Sequence, residues 1–168
     1  TKNVIAIEKD IFFAEQLSSL KSSTNNLKII NDDFFKIDLD SLIPKSKKIK
    51  VVANIPFHIT TKIFTTLIKL HNHIENICII IQHENALRIM AKPNDKNYCS
   101  FTFFINYYSF PKLNHRISKN CFFPKPKVDA AIINLQLKEK LPLSEKEELH
   151  LFFIVRKAFE KRRKTLLS

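Results

Sequence analysis

The chain has no glycine in 168 residues, where an average protein has about 7%. That absence excludes every glycine-rich phosphate loop from this stretch, because such loops bring bare backbone against the ligand. Turns with positive φ must then be made by Asn or Asp, with Asn25-Asn26, Asn31-Asp32 and Asn94-Asp95 as the candidates. Cysteine is scarce too. Cys78, Cys99 and Cys121 are widely spaced and form no metal pattern, and an odd number argues against a disulfide framework. A reducing compartment and roles as small core residues are the expectation. No apolar run approaches the ~18 residues of a membrane span, so no membrane partner is expected. The first residues read directly into a strand and not into a leader pattern.

What is present fits a globular fold with a core: 45% apolar residues in a length suited to one domain. Net charge is +12 and unevenly spread. Residues 1–60 carry 9 basic and 7 acidic side chains, and residues 61–168 carry 19 and 9. A lopsided positive charge suits a polyanionic partner. The abundance of Lys, Asn, Ile and Phe equally suits an AT-rich genome, and on charge alone the two readings are evenly matched.

The most informative stretch is Val51-Val52-Ala53-Asn54-Ile55-Pro56-Phe57. The apolar run reads as a buried strand that Pro56 stops. A carboxamide, a fixed turn and an aromatic ring then stand together at a strand end, which in open α/β sheets is where ligands bind. The Asn54 side-chain oxygen and the Ile55 carbonyl can each accept one N–H of an exocyclic amine, while Phe57 can stack on the ring that bears it. Taken alone, Phe57 is more simply a core residue.

Strand and helix patterns alternate through the first two-thirds of the chain. Strands are expected at Val4–Glu8, Leu27–Ile30, Lys50–Ala53 and Ile77–Ile81. Helices are expected at Asp10–Ser22, at Thr60–Leu70 with Thr60 as cap and Ile63, Phe64, Leu67 and Ile68 inward, and at Glu84–Met90. Phe101–Ser109 and Ala130–Leu137 read as an antiparallel strand pair. Ser144 and Glu147 form a capping box opening a basic helix to about Leu166. The fold class is therefore α/β: a mostly parallel sheet with helices on both faces and an antiparallel strand at its end. The first βα unit of such a fold is expected to be missing from this stretch. Residues 1–140 form this partial domain, and residues 141–168 begin a small basic helical domain.

Glu8, Asp33 and Asn54 each stand at or just beyond a strand end. An acid at the end of a second strand commonly binds ribose hydroxyls, although an acid after a strand is more often a turn residue or cap. Three polar strand ends in succession would line one crevice.

These segments together resemble the rRNA adenine N6-dimethyltransferase family. Asn54-Ile55-Pro56-Phe57 resembles its catalytic Asn-[Leu/Ile]-Pro-[Tyr/Phe]. Val4–Asp10 resembles its ribose-binding strand, and Ile30-Asn31-Asp32-Asp33-Phe34 the segment that meets the cofactor's adenine. Gln82-His83-Glu84 is similar to its Gln-Lys-Glu, with His83 where Lys is usual. Phe122-Phe123-Pro124-Lys125-Pro126-Lys127-Val128 resembles Phe-x-Pro-x-Pro-Lys-Val. Ala158-Phe159-Glu160-Lys161-Arg162-Arg163-Lys164-Thr165 resembles the Ala-Phe-x-x-Arg-Arg-Lys-Thr of the small-subunit (KsgA) branch more than the Erm branch. The matches run from Val4 to Leu166 in the family's order.

The resemblance implies a Rossmann-like sheet and S-adenosyl-L-methionine-dependent N6-dimethylation of adenosines in small-subunit ribosomal RNA, a step of ribosome biogenesis. Asn54, Ile55, Pro56 and Phe57 would be catalytic. Glu8, Asp33, Phe34 and Asn54 would hold the cofactor, with no metal. Phe57, Phe122, Lys125, Lys127, Arg162, Arg163 and Lys164 would meet RNA. Lys125 and Lys127 also read as a solvated rim, Pro124 and Pro126 as a rigid connector, and the terminal basic cluster as a solvated helix face. Six bases against one acid in residues 156–164 favour RNA backbone. The histidines show no ligand spacing. The family's Glu-x-Gly-x-Gly turn would lie just before Thr1, so the chain is expected to be a fragment, weakly active or inactive alone. The expected partner is ribosomal RNA or the assembling small subunit. The protein is expected to be a monomer in the cytoplasm, or in an organelle matrix if the source is a plastid or mitochondrion. The alternatives are an Erm-type large-subunit enzyme, a non-catalytic nucleic-acid-binding relative such as an organellar transcription factor, and a methyltransferase acting on DNA or a small molecule. The basic C-terminal half counts against a small molecule.

Overall fold

The structure, a computed structural model, describes residues 3–20 and 26–160. The chain divides into two compact units, Thr1–Ile43 and Pro44–Ser168.

In the first unit, strand β1 (Val4–Glu8) leads through helix α1 (Ile11–Leu20) to β2 (Leu27–Asn31). β1 and β2 pair in parallel from Val4↔Leu27 to Glu8↔Asn31. Asp10 Oδ1 accepts the Phe12 N–H at 2.9 Å, satisfying a donor that the first turn leaves without a partner. Among the described apolar side chains of α1, Ala14 is buried, while Ile11, Phe12 and Phe13 are exposed. A short helix α2 (Leu39–Leu42), capped by Asp38, follows.

The second unit holds β3 (Ile49–Asn54), α3 (Thr60–Ile68), β4 (Ile74–Gln82), α4 (His83–Met90), α5 (Ser100–Tyr108), β5 (Ser109–Ile117), β6 (Ala130–Leu137) and α6 (Glu145–Glu160). Its sheet has the order β3-β4-β6-β5, with β3–β4 parallel and the two remaining pairings antiparallel. Ile77, Ile79 and Ile81 of β4 lie opposite Leu135, Ile133 and Ala131 of β6, and all six are fully buried. Because side chains alternate along a strand, these positions form one face, the core. The alternate positions are more open: Cys78 and Ile80 are half-buried and Val52 is 81% exposed. The fully buried core of this unit therefore lies on one face of its sheet.

The inner face of α3 is Ile63, Phe64, Leu67 and Ile68, all buried, as the spacing predicts. Thr60 is not its cap. Ile59 occupies that position, and the Thr60 hydroxyl donates to the Phe57 carbonyl at 2.9 Å. α4 and α5 are joined through the carbonyls that end α4. Thr102 Oγ1 donates to Arg88 O at 2.7 Å and Asn106 Nδ2 to Ile89 O at 3.1 Å, partners for acceptors that a helix end otherwise leaves open.

Residues 101–109 correct the sequence reading. They form a helix to Tyr108, and the antiparallel partner of β6 is Ser109–Ile117. Of the capping box at Ser144, the Glu147 arm is formed: Glu147 Oε2 accepts the Ser144 N–H at 2.8 Å and its hydroxyl at 2.6 Å. Among the described residues only Asn94 has positive φ, at 74°, so Asn31-Asp32 turns without it. Cys121 is exposed, which overturns a core role for it.

Candidate functional site

The first unit presents one polar edge. Glu8 closes β1 opposite Asn31, whose carboxamide donates to the Glu8 and Lys9 carbonyls at 3.0 and 3.2 Å. Glu8 Oε1 accepts the Asp10 N–H at 2.8 Å. Asp33 Oδ1 accepts the Phe35 N–H at 3.0 Å and Oδ2 accepts Lys9 Nζ at 2.9 Å. The Phe35 backbone N–H first, and the Lys9 ammonium after it, hold the Asp33 carboxyl below the usual carboxylate range, so it is an anion at neutral pH. Phe34 is half-buried, edge-on to Phe35 with centroids 5.4 Å apart.

This set of acceptors fits a nucleoside. One carboxylate suits a ribose diol, a second suits an exocyclic amine, and a half-buried ring suits a base.

In the second unit, β3 ends at Asn54 and Pro56 turns the chain at φ −57°, ψ 132° into a helical turn at Phe57–Ile59. β3 is an edge strand and Asn54 its exposed last residue. Among the described residues neither the Asn54 carboxamide nor the Ile55 carbonyl has a hydrogen-bond partner, so both acceptors are open. Phe57 is half-buried, and its carbonyl is fixed by Thr60. The ring is thus neither a core residue nor a free one.

The segment after β5 carries Phe122, half-buried, with Lys125 and Lys127, both exposed. Asp129 closes this loop. Its Oδ2 accepts Arg116 Nε at 3.0 Å and Nη2 at 2.6 Å, and its Oδ1 accepts the Lys119 N–H at 3.0 Å. Its carbonyl accepts the His83 N–H at 2.9 Å. The Lys119 N–H first and the Arg116 guanidinium second hold its carboxyl below the usual range. One residue thereby ties the loop to β5 and to the start of α4.

α6 carries exposed Arg156 and Lys157, the latter paired with Glu160 at 2.9 Å. Arg162, Arg163 and Lys164 lie outside the described residues. The structure thus groups Glu8, Asp33 and Phe34 in the first unit, and places Asn54, Ile55, Pro56 and Phe57 at a strand end, and Phe122, Lys125 and Lys127 on a loop, in the second. Sequence reasoning passed over Phe123 and the Arg116–Asp129 pair. Two adjacent phenylalanines carry no local signal of which ring faces solvent, and a pair thirteen residues apart carries none at all.

A parallel-stranded edge with nucleoside-type acceptors in the first unit, and in the second a strand that ends at Asn54 before Pro56 and Phe57, belong to the α/β class of folds that place ligands at strand ends. A family model described as "Ribosomal RNA adenine dimethylase" matches residues 1–168, and the chain belongs to that family. It is 38% identical over 168 residues to the "Ribosomal RNA small subunit methyltransferase A" of Protochlamydia amoebophila, covering 98% of this chain and 58% of that protein. The chain thus spans about three-fifths of the length of such relatives. Among solved structures it matches a dimethyladenosine transferase from Plasmodium falciparum with a TM-score of 0.83 at 28% identity, over 98% of this chain and 58% of that one. It also matches the 23S rRNA methyltransferase ErmE with a TM-score of 0.78 at 22% identity, over 98% and 64%, a likeness of fold alone.

Proposed function

We propose that the full-length protein transfers methyl groups from S-adenosyl-L-methionine to N6 of adenosines in small-subunit ribosomal RNA, twice on each target nitrogen. The observation that carries this reading is the pair of open acceptors, the Asn54 carboxamide and the Ile55 carbonyl, at the end of β3. The names of the relatives at 38% identity favour the small-subunit target. Glu8 would hold the cofactor's ribose, and Asp33 with Phe34 its adenine. Residues 1–140 would then belong to the methyltransferase domain, with 141–168 opening a basic helical domain that meets RNA through Arg162, Arg163 and Lys164.

An adenine amine is a poor nucleophile because its lone pair is shared with the ring. Asn54 Oδ1 and Ile55 O accept its two N–H groups and draw the nitrogen toward a pyramidal geometry. That contact strengthens as the nitrogen gains positive charge, which makes it stabilisation specific to the transition state. Phe57 stacks on the extruded base, worth about 1–3 kcal/mol, and Phe122 covers its other face. Leaving the RNA stack is the step that admits the base. Holding the amine in line also removes the entropy of finding it. The bound sulfonium supplies an electrophilic methyl group, and the amine's proton goes to solvent after transfer.

The test is methyl incorporation by the full-length protein into naked small- and large-subunit rRNA, with the products digested to nucleosides. N6,N6-dimethyladenosine from the small-subunit RNA is expected. Product from large-subunit RNA alone would assign the Erm-type activity instead, and methylated adenosine from neither would overturn the proposal.

A further inference from the structure

Phe123 is 101% exposed, so both faces of its ring are open to a stacking partner. It stands on the loop that Asp129 closes, between Lys119 and Lys127. Both lysines line a cleft of about 380 Å3 together with His83, Arg116 and Glu84, a volume at the lower end for a ligand site. Its charges are not equivalent. Arg116 is paired with Asp129 and Glu84 with Arg88, at 2.6 and 2.8 Å. Lys119 and Lys127 make no ion pair among the described residues, so they are the cleft's available cations. His83 sits at its rim as the first residue of α4.

An exposed ring on the same loop as two ammonium groups that make no ion pair among the described residues is the combination that single-stranded nucleic acid asks for: a face for a base and cations for the phosphates that flank it. An apolar peptide would use the ring but leave the two lysines unanswered. We infer that this loop is a second RNA subsite, in which Phe123 stacks on an unpaired base outside the target pocket while Lys119 and Lys127, with His83 beside them, hold the adjoining phosphodiester. The inference rests on the rRNA reading above. It assigns Phe123, Lys119 and His83, which the methyl-transfer chemistry leaves unused. Its consequence is register: a base gripped beside the target limits which adenosine can enter the catalytic pocket.

The test uses the full-length protein and small-subunit rRNA hairpins, each with one unpaired base outside the target replaced by 2-aminopurine. For the wild type, one position should lose fluorescence on binding. Phe123→Ala should abolish that quenching and weaken binding about tenfold, while Phe123→Trp restores both. Lys119→Gln with Lys127→Gln should flatten the slope of log affinity against log salt by about 0.7, the share of the one phosphate they hold on a single strand, with quenching retained. Phe123 and Lys127 are exposed and Lys119 is half-buried, and melting curves that match the wild type confirm intact folding. Unchanged affinity and quenching in Phe123→Ala, with an unchanged salt slope in the lysine pair, overturn the subsite even if the protein methylates RNA normally. Loop effects on binding without any methylation would overturn the enzymatic reading and leave the subsite standing. No RNA binding at all overturns both.

Discussion

Removing the carboxylate of Glu148 should loosen α6 from the rest of its unit. Two hydroxyls converge on that side chain: Tyr107 Oη donates to Oε1 at 3.0 Å and Tyr108 Oη to Oε2 at 2.9 Å. Phe152, one turn further along α6, stacks on Tyr108 with centroids 5.7 Å apart and meets Phe103, Phe104 and Tyr107 edge-on. Hydrogen bonds to a charged partner contribute about 1.5–3 kcal/mol each, and a buried hydroxyl left alone costs about 1–3. Tyr108 is 9% exposed, so its loss counts almost in full, about 2 kcal/mol. Tyr107 is half-buried, and water recovers part of its bond, leaving about 1. Glu148→Ala should therefore cost about 3 kcal/mol, a fall in melting temperature of about 6–12 °C for a chain of this size. Glu148→Gln should lose about half as much.

The same contact has a pH signature. Burial, with the Glu148 hydrogen bond second, pushes the Tyr107 phenol up to about 12 and the Tyr108 phenol further still. Both folded-state values lie above the unfolded value near 10. Their contribution is thus complete below about pH 10 and is lost as pH rises through 12. Thermal melts of wild type, Glu148→Ala, Tyr108→Phe and the double variant, at neutral and alkaline pH, test it. Additive single-variant losses, or a shift under about 2 °C for Glu148→Ala, would refute the coupling.

Two further outcomes follow from other contacts. Asp129 is held below its ordinary value by Lys119 and Arg116, so its stabilising effect is present above about pH 4 and is lost as pH falls through its lower folded value. The gap in melting temperature between wild type and Asp129→Asn should close on acidification, and a constant gap down to pH 2.5 would contradict the assignment. At Asn94, with φ 74°, Asn94→Ala should lower the melting temperature by about 2–4 °C, since Ala lacks the short polar side chain that lets Asn occupy the left-handed region, where an ordinary residue loses ~1 kcal/mol or more. Asn94→Gly should not lower it, and equal losses would show that the turn is set by the Asn side chain instead.

The legible parts of the chain are those where period and punctuation agree. The inner face of α3 follows from Ile63, Phe64, Leu67 and Ile68 alone, and β4 follows from its β-branched run. Residues 101–108 defeat that logic. Phe, Thr, Ile and Tyr are strand formers, yet Thr102, Ile105 and Tyr108 are buried at three-residue spacing and Phe103, Phe104 and Tyr107 pack on Phe152. Tertiary contact outweighs propensity there. β5 hides for the opposite reason. Pro111 and the charged Lys112 and Arg116 argue against a strand, but β5 is at the sheet edge, where a missing N–H costs no ladder bond. At the site, Asn54 and Phe57 were legible because Pro56 marks the strand end. Asp129 was not, because its partners Arg116 and Lys119 are gathered only by the β5–β6 pairing.

The central claim is that Asn54 acts on the reacting nitrogen and not on RNA affinity. Single-turnover methyl transfer by full-length Asn54→Ala, with RNA affinity measured in parallel, tests it. Loss of one preorganised transition-state contact should slow transfer by about 10²–10³-fold while RNA binding stays within about threefold. Transfer at the wild-type rate would contradict the account, as would a slowing explained wholly by lost RNA affinity.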